Sequence, residues 1–380
     1  MVKTGNREQE YLLVLLRCAL KQEKAPSPEN IDMKALLKLA VSQQVYNTVL
    51  PCLDEINALP EEDKAKWNNY RLTELQRTIV VNNERNHILE QFDKKGISYI
   101  FLKGLVLREL YPQTAMRQMS DNDIMFDAAR RDDVKKIMLD NGYYLSSQTE
   151  KSDDYYKEPY TMIEFHKELF NHEYMQEIFS AELVWKNAKK ADDSGWRYIM
   201  SDEDNYAFTL LHMFKHYIME GCGVRFLCDM YLLNQCAQNL DFEYIDSLLQ
   251  KIQDNPKAAL IEDLPDLTIP EFKTMVNNLI DAVFFDKDIA PDAQSLLADM
   301  LSGGVYGSGK TFQDKIDEQG GKFRYIISRL FPPKVNMYDN YPLSKKYKIL
   351  LPFFYIKRWF DKLKYKKSFV KKEIKALKNN

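Results

Sequence analysis

Apolar positions in this chain follow two rhythms. From Glu8 to Gln22 the residues Leu12, Leu13, Leu16 and Leu20 recur at helical spacing, and Pro26 and Pro28 end that pattern. Ile31 to Leu53 reads as one or two further helices, with Asp32 near the start. Glu61 to Lys95 reads as one long helix whose Leu72, Leu75 and Ile79 sample different faces. The rhythm then changes. Ile97 to Leu102 is a compact apolar run that stops at Lys103-Gly104, and Leu105 to Tyr111 returns to helical spacing. After a turn at Pro112 come Arg117, Asp121-Asn122-Asp123 and the apolar Ile124-Met125-Phe126. This predicts a strand, a glycine turn, a helix, and a second strand that opens with two carboxylates. Arg130 to Asn141 predicts a helix stopped by Gly142. Tyr143 to Leu145 and Tyr155 to Phe165, rich in Tyr, Ile and Phe, predict strands. From Asp202 onward the spacing is helical again: Tyr206 to Glu220, Phe226 to Gln235, Asp241 to Gln253, Pro270 to Phe285 and Pro291 to Ser302. No repeat of fixed period is present. Strands mixed with helices between two helical arms predict an α+β protein, with helices on one face of a small mixed sheet.

The two carboxylates carry the first chemistry. On a strand, residues i and i+2 point to one face, so Asp121 and Asp123 project together with Asn122 opposite. Side-by-side carboxylates repel unless a cation lies between them, and hard oxygen ligands suit Mg²⁺ or Mn²⁺ held jointly with substrate phosphates. The plainer alternative is a solvated strand end. Lys103 and Arg117 flank the pair. Arginine grips phosphate through two parallel hydrogen bonds and lysine acts as a point charge. Either can equally be an exposed cation, and Arg117 can instead pair with the nearby carboxylates.

The order Lys-Gly after a strand, then Arg-x-Met-x-Asp-x-Asp and an apolar strand, resembles the uncharacterised nucleotidyltransferase family of the DNA polymerase β-like superfamily. The specific motifs occupy about Asn86 to Phe170. The resemblance implies a third carboxylate from a later strand, and Thr161-Met162-Ile163-Glu164-Phe165-His166 fits that piece. It implies catalytic and metal-binding roles for Asp121, Asp123 and Glu164, and nucleotide-binding roles for Lys103, Gly104, Arg117 and His166. His166 can also orient the Glu164 carboxylate or be a plain buried histidine. The implied reaction moves a nucleoside monophosphate from an NTP to an acceptor hydroxyl with Mg²⁺ (or Mn²⁺). Two departures stand out. The superfamily usually has Gly-Ser or Gly-Gly at the turn where this chain has Lys103-Gly104, so the serine that would touch the triphosphate is missing. The gap from Gly104 to Asp121 is also long. A catalytically inactive nucleotidyltransferase fold kept for nucleotide sensing or partner binding is the alternative reading, and a P-loop NTPase a third.

Length and composition narrow the remaining choices. With 380 residues and 45% hydrophobic content, two or three structural units with an ample core are expected. We divide the chain into a helical region (1–85), the nucleotidyltransferase-like core (86–200), a C-terminal helical domain (201–335) and a basic aromatic tail (336–380). The net charge of −3 gives no overall field for nucleic acid, but residues 341–380 carry thirteen Lys or Arg against Asp361 and Glu373. That net of +11 leaves −14 on the rest. Interleaved with aromatics, the tail suits an anionic membrane surface or nucleic acid, or a helix that docks its aromatics and solvates its lysines. Five scattered cysteines, without Cys-x-x-Cys, fit buried thiols in a reduced cytoplasmic setting. No run is long and apolar enough to span a membrane.

Two further motifs compete. Gly304-Val305-Tyr306-Gly307-Ser308-Gly309-Lys310-Thr311 matches the phosphate-binding P-loop, but the helical spacing of Ala293 to Leu301 puts a helix where the motif needs a strand. His212 and His216 lie one turn apart, with Met213 where a zinc protease needs Glu. They read as histidines of a helical packing interface. Arg225 and Asp229, also one turn apart, are expected to pair.

Overall fold

The computed structural model describes residues 2–119, 121–159, 161–170, 172–193, 195–219, 221–236, 239–258, 267–303, 324, 326–327, 330–331, 337 and 347–365. Four helices open the chain: α1 (Arg7–Lys21), α2 (Met33–Ser42), α3 (Tyr46–Glu55) and α4 (Glu61–Lys95). Asp32 caps α2 by accepting from the Lys34 and Ala35 amides, as its position predicts. Strand β1 (Tyr99–Phe101) follows, then the single-turn α5 (Gly104–Leu107), β2 (Asn122–Phe126) and α6 (Arg131–Asp140). The predicted helix Leu105 to Tyr111 is only that one turn of α-helix, continued by a 3₁₀ turn at Arg108–Leu110. Gly142 takes φ +79° beyond the end of α6, the left-handed stop its residue type suits.

The single strand expected over Tyr155 to Phe165 is a hairpin, β4 (Ser152–Lys157) and β5 (Thr161–His166), which pairs with β3 (Tyr144–Gln148) through β4. Strand-forming residues run on both sides of the Glu158-Pro159 turn, so composition alone did not break the run. After α7 (Glu173–Gln176) and α8 (Ala181–Asn187) come two short strands that periodicity missed, β6 (Lys189–Lys190) and β7 (Arg197–Ile199). Further helices among the described residues include α9 (Asp202–Met219), α10 (Val224–Cys236), α11 (Phe242–Gln253), α12 (Ile269–Phe285), α13 (Pro291–Gly303) and α14 (Leu351–Tyr365).

The sheet has the order β3-β4-β5-β2-β1-β7-β6 and is mixed: β2/β5 and β1/β7 run parallel and the other pairs antiparallel. Alternation along its strands feeds two apolar cores. Ile124, Phe126, Ile163 and Phe165 pack with Phe92 of α4 and with Val134, Ile137 and Met138 of α6. Ile100 and Met125 face the opposite way, into a larger core built by the N-terminal helices and by α9 to α13. The fold is therefore α+β, but helices cover both faces of the mixed sheet and not the one face expected, because Ile100 and Met125 give its second face an apolar surface of its own. The middle of α4 leaves Leu72, Leu75 and Ile79 exposed. All five cysteines are free thiols, and all but Cys236 are buried. Among the described residues no helix is long and apolar enough to cross a membrane.

Candidate nucleotidyl-transfer site

Register assembles the site. The parallel pairing of β2 with β5 sets Asp123 opposite Glu164 and Met125 opposite His166. Side chains directly opposite in neighbouring strands share a face, and so do residues two apart in one strand. Asp123, Glu164 and His166 thus project together on the face away from α6. Asn122 is turned the other way, where it accepts from Arg85 (3.2 Å) and donates to the Met162 carbonyl (3.2 Å). Strand β2 begins at Asn122, so Asp121 stands just before it and lines the same cavity as Asp123.

That cavity, about 240 Å³, lies between the sheet face and α9 and α10. All seven residues singled out in sequence line it: Lys103, Gly104, Arg117, Asp121, Asp123, Glu164 and His166. Cations line it too, with Lys151 beside the hairpin, Lys215 on α9 and Arg225 on α10.

Asp123 is the hub. Its Oδ1 accepts from Lys103 Nζ at 2.7 Å and lies 2.8 Å from His166 Nε2. An ionised carboxylate only accepts, so the Nε2 facing it carries a proton. Glu164 Oε1 is 3.5 Å from the same nitrogen. Burial alone would raise the Asp123 carboxyl, but the Lys103 ammonium and the His166 contact hold it well below the usual carboxylate range. Burial likewise works against the Lys103 ammonium, and Asp123, Glu164 and Asp121 overcome it to hold this amine above an ordinary lysine. Lys103 reaches Asp123 from an unusual backbone. Its φ of 48° with ψ of −121° is a region that glycine favours and side chains resist.

Gly104 serves a different need. A Cβ at this position would sit 2.6 Å from Arg117 NH1 and 3.1 Å from Met119 Cγ, so the glycine makes room for the guanidinium. Arg117 grips the carboxylate of Asp229. Its Nε and NH2 donate to the two oxygens of Asp229 at 2.7 and 2.8 Å, and the Tyr111 hydroxyl donates to the same carboxylate at 2.9 Å. This corrects the expected Arg225–Asp229 pair: Asp229 belongs to Arg117 and Tyr111. Arg225 donates to the Gln44 side chain and, at 3.4 Å, to the Gln118 carbonyl. Two residues one turn apart on a helix can face different neighbours, and here a partner 112 positions away won. Burial and Asp229 push the Tyr111 hydroxyl well above its ordinary pKa.

His212 and His216 stack edge to face, ring centres 4.5 Å apart, on the cavity wall. Burial first, and the Lys103 charge second, hold His212 well below an ordinary histidine, so it is neutral near pH 7. The P-loop-like Gly304 to Thr311 lies outside the described residues. The segment before it is α13, a helix, where that motif requires a strand.

A divalent cation fits the donor set. One ligand atom each from Asp123, Glu164 and His166 lie within 4.8 Å of one another, and oxygen donors dominate. Acidic residues of two adjacent parallel strands thus open, with His166, on a cavity lined with cations. Sequence comparison gives the particular family. The profile of a family described as "Uncharacterised nucleotidyltransferase" matches residues 29–256, more than half of the chain, and the protein belongs to that family. No curated protein matches the sequence. Among solved structures, the solution structure of the antibiotic-resistance factor ANT(2'')-Ia matches at 13% identity and a TM-score of 0.35, covering 49% of this chain and 95% of that one.

Proposed function

We propose that this protein transfers a nucleoside monophosphate from an NTP to an acceptor hydroxyl, releasing pyrophosphate. The carrying observation is the Asp123–Glu164–His166 cluster, buried but for a half-buried Glu164, in one cavity with the cations Lys151, Lys215 and Arg225. The carboxylates and the cations suit the two ends of a metal-bound triphosphate. Asp121 and Asp123 would hold one Mg²⁺ (or Mn²⁺), and Asp123 and Glu164 a second. Such ions supply charge neutralisation at the leaving pyrophosphate and at the attacking oxygen. The bond from the acceptor oxygen to the α-phosphorus forms as the bond from that phosphorus to the pyrophosphate oxygen breaks. Glu164 would take the acceptor proton, and His166 would hold Asp123 in place. Lys103, Gly104 and Arg117 would bound the nucleotide side of the cavity. The work of these residues is positioning and electrostatics. The division at residues 85, 200 and 335 is part of the same proposal.

One observation favours a second reading. The Lys103 ammonium already neutralises Asp123 at 2.7 Å, as it would in a protein that binds nucleotides without catalytic metal. Thermal stability with each NTP, with and without Mg²⁺, separates the two, because a ligand that binds the folded state raises its melting temperature. A Mg²⁺-dependent rise that is lost in Asp121→Asn and Asp123→Asn supports transfer and names the nucleotide for an acceptor screen. A rise indifferent to Mg²⁺ supports sensing, and no rise with any NTP removes both readings.

A further inference from the structure

The C-terminal helix α14 and the 3₁₀ turn before it, Lys348–Leu350, have two unlike faces. The inner face is anchored. Phe354 is buried, Trp359 Nε1 donates to the Leu330 carbonyl at 2.8 Å, and the Phe331 ring packs against Tyr355 and Trp359 at 5.5 and 5.4 Å. These contacts fix how the helix is rotated, and so what it presents outward. Outward stand Ile349 (89% exposed), Phe353 (61%) and Ile356 (46%). Their spacing of four and then three residues makes one apolar stripe along the helix.

Basic residues accompany that stripe. Lys348 and Lys357 are exposed beside it, and the sequence beyond, 366–380, carries six lysines against the single acid Glu373. We propose that this stripe lies in the headgroup layer of an anionic phospholipid membrane, with the lysines on the lipid phosphates. The inference does not depend on the transfer chemistry of the cavity.

Charge and residue type choose the occupant. Two of the three stripe residues are isoleucines, which offer no ring for a nucleobase to stack on, and single-stranded nucleic acid is held by such stacking. A second copy would bring a segment of +11 against another of +11. An interfacial helix needs large apolar residues on one face and Lys or Arg around it, which is what this segment has. The remaining −14 of the chain is repelled by the same anionic surface, so the molecule would stand on its tail with the body held away.

The test is flotation of the full chain with vesicles of phosphatidylcholine alone, and of phosphatidylcholine and phosphatidylglycerol in equal parts. The wild type should float only with the anionic vesicles and be released by added salt. Phe353→Ser/Ile356→Ser should abolish flotation, and Lys357→Glu/Arg358→Glu should lower partitioning by at least twentyfold, from about fivefold per basic residue near the surface. Both double variants leave Phe354, Tyr355 and Trp359 in place, and an unchanged melting temperature checks that they fold. Four results would overturn the proposal. The first three are no flotation of the wild type with anionic vesicles, flotation equal in the wild type and both variants, or binding of a single-stranded oligonucleotide that Phe353→Ser/Ile356→Ser abolishes, which would assign the stripe to nucleic acid. Conversion of a solution dimer to a monomer by that variant would assign the stripe to a second copy instead.

Discussion

Replacing Lys103 by methionine keeps the apolar stem and removes the ammonium from Asp123. The pair is well buried, with side-chain exposures of 19% for Lys103 and 5% for Asp123. Breaking a buried pair by removing one partner costs about 3–5 kcal/mol, because the other charge stays behind uncompensated. His166 Nε2 remains 2.8 Å from the same oxygen, so the loss should fall at the lower end, about 3 kcal/mol. The sign with pH follows from the depressed Asp123 carboxyl. A carboxyl whose folded pKa is lowered stabilises the fold above its unfolded value, about 3.9, and that stability is lost as pH falls below it. Without Lys103 the depression shrinks, so acid unfolding of Lys103→Met should begin at a higher pH than in the wild type. Metal should then substitute for the ammonium. A divalent cation no longer shares the Asp123 Oδ1 with Nζ, so Mn²⁺ should raise the stability of Lys103→Met more than that of the wild type. Urea unfolding with and without Mn²⁺ measures both effects, since ligand bound to the folded state adds stability in proportion to RT ln(1 + [L]/Kd). A variant within about 1 kcal/mol of the wild type, against the cost expected for a buried pair, and with the same Mn²⁺ response, would refute the view that Asp123 depends on this lysine.

Asp229→Asn should cost about 3–5 kcal/mol in urea unfolding by stranding the buried Arg117 charge, and a double-mutant cycle with Arg117→Met should recover much of it. Gly104→Ala should lose about 1–3 kcal/mol, since its Cβ must displace Arg117 NH1 from 2.6 Å, and an unchanged midpoint would mean the guanidinium moves at no cost. His212 is held below its ordinary pKa, so the unfolded chain binds a proton there that the folded chain refuses. Stability should therefore fall as pH drops below about 6.5, by up to about 1.4 kcal/mol per unit from this group, and His212→Phe should flatten that slope in urea midpoints measured across the range.

Much of the fold was legible because its signals are local. Asp32 at the start of α2, Gly142 after α6, and the apolar spacing of α9 to α13 each act within a turn or two of chain. The hairpin β4–β5 reads as one strand in sequence because Tyr155, Tyr156, Ile163 and Phe165 favour extended chain on both sides of the turn. Strands β6 and β7 escaped because Lys189 and Lys190 are exposed and show no alternation, so only their partner defines them. The same limit applies at the site. The Asp-x-Asp and Glu-x-His spacings each declare a face, but spacing within one strand says nothing about its neighbour's register. A slip of one residue in β5 would turn Glu164 and His166 away from Asp123 and bury them among the apolar residues of the α6 face. Ile163 and Phe165, packed there with Phe92 and Phe126, are what forbid that slip. The carboxylate cluster is thus held in place by apolar residues on the opposite face of the sheet, and a polar substitution at Phe165 should disturb the site without touching it.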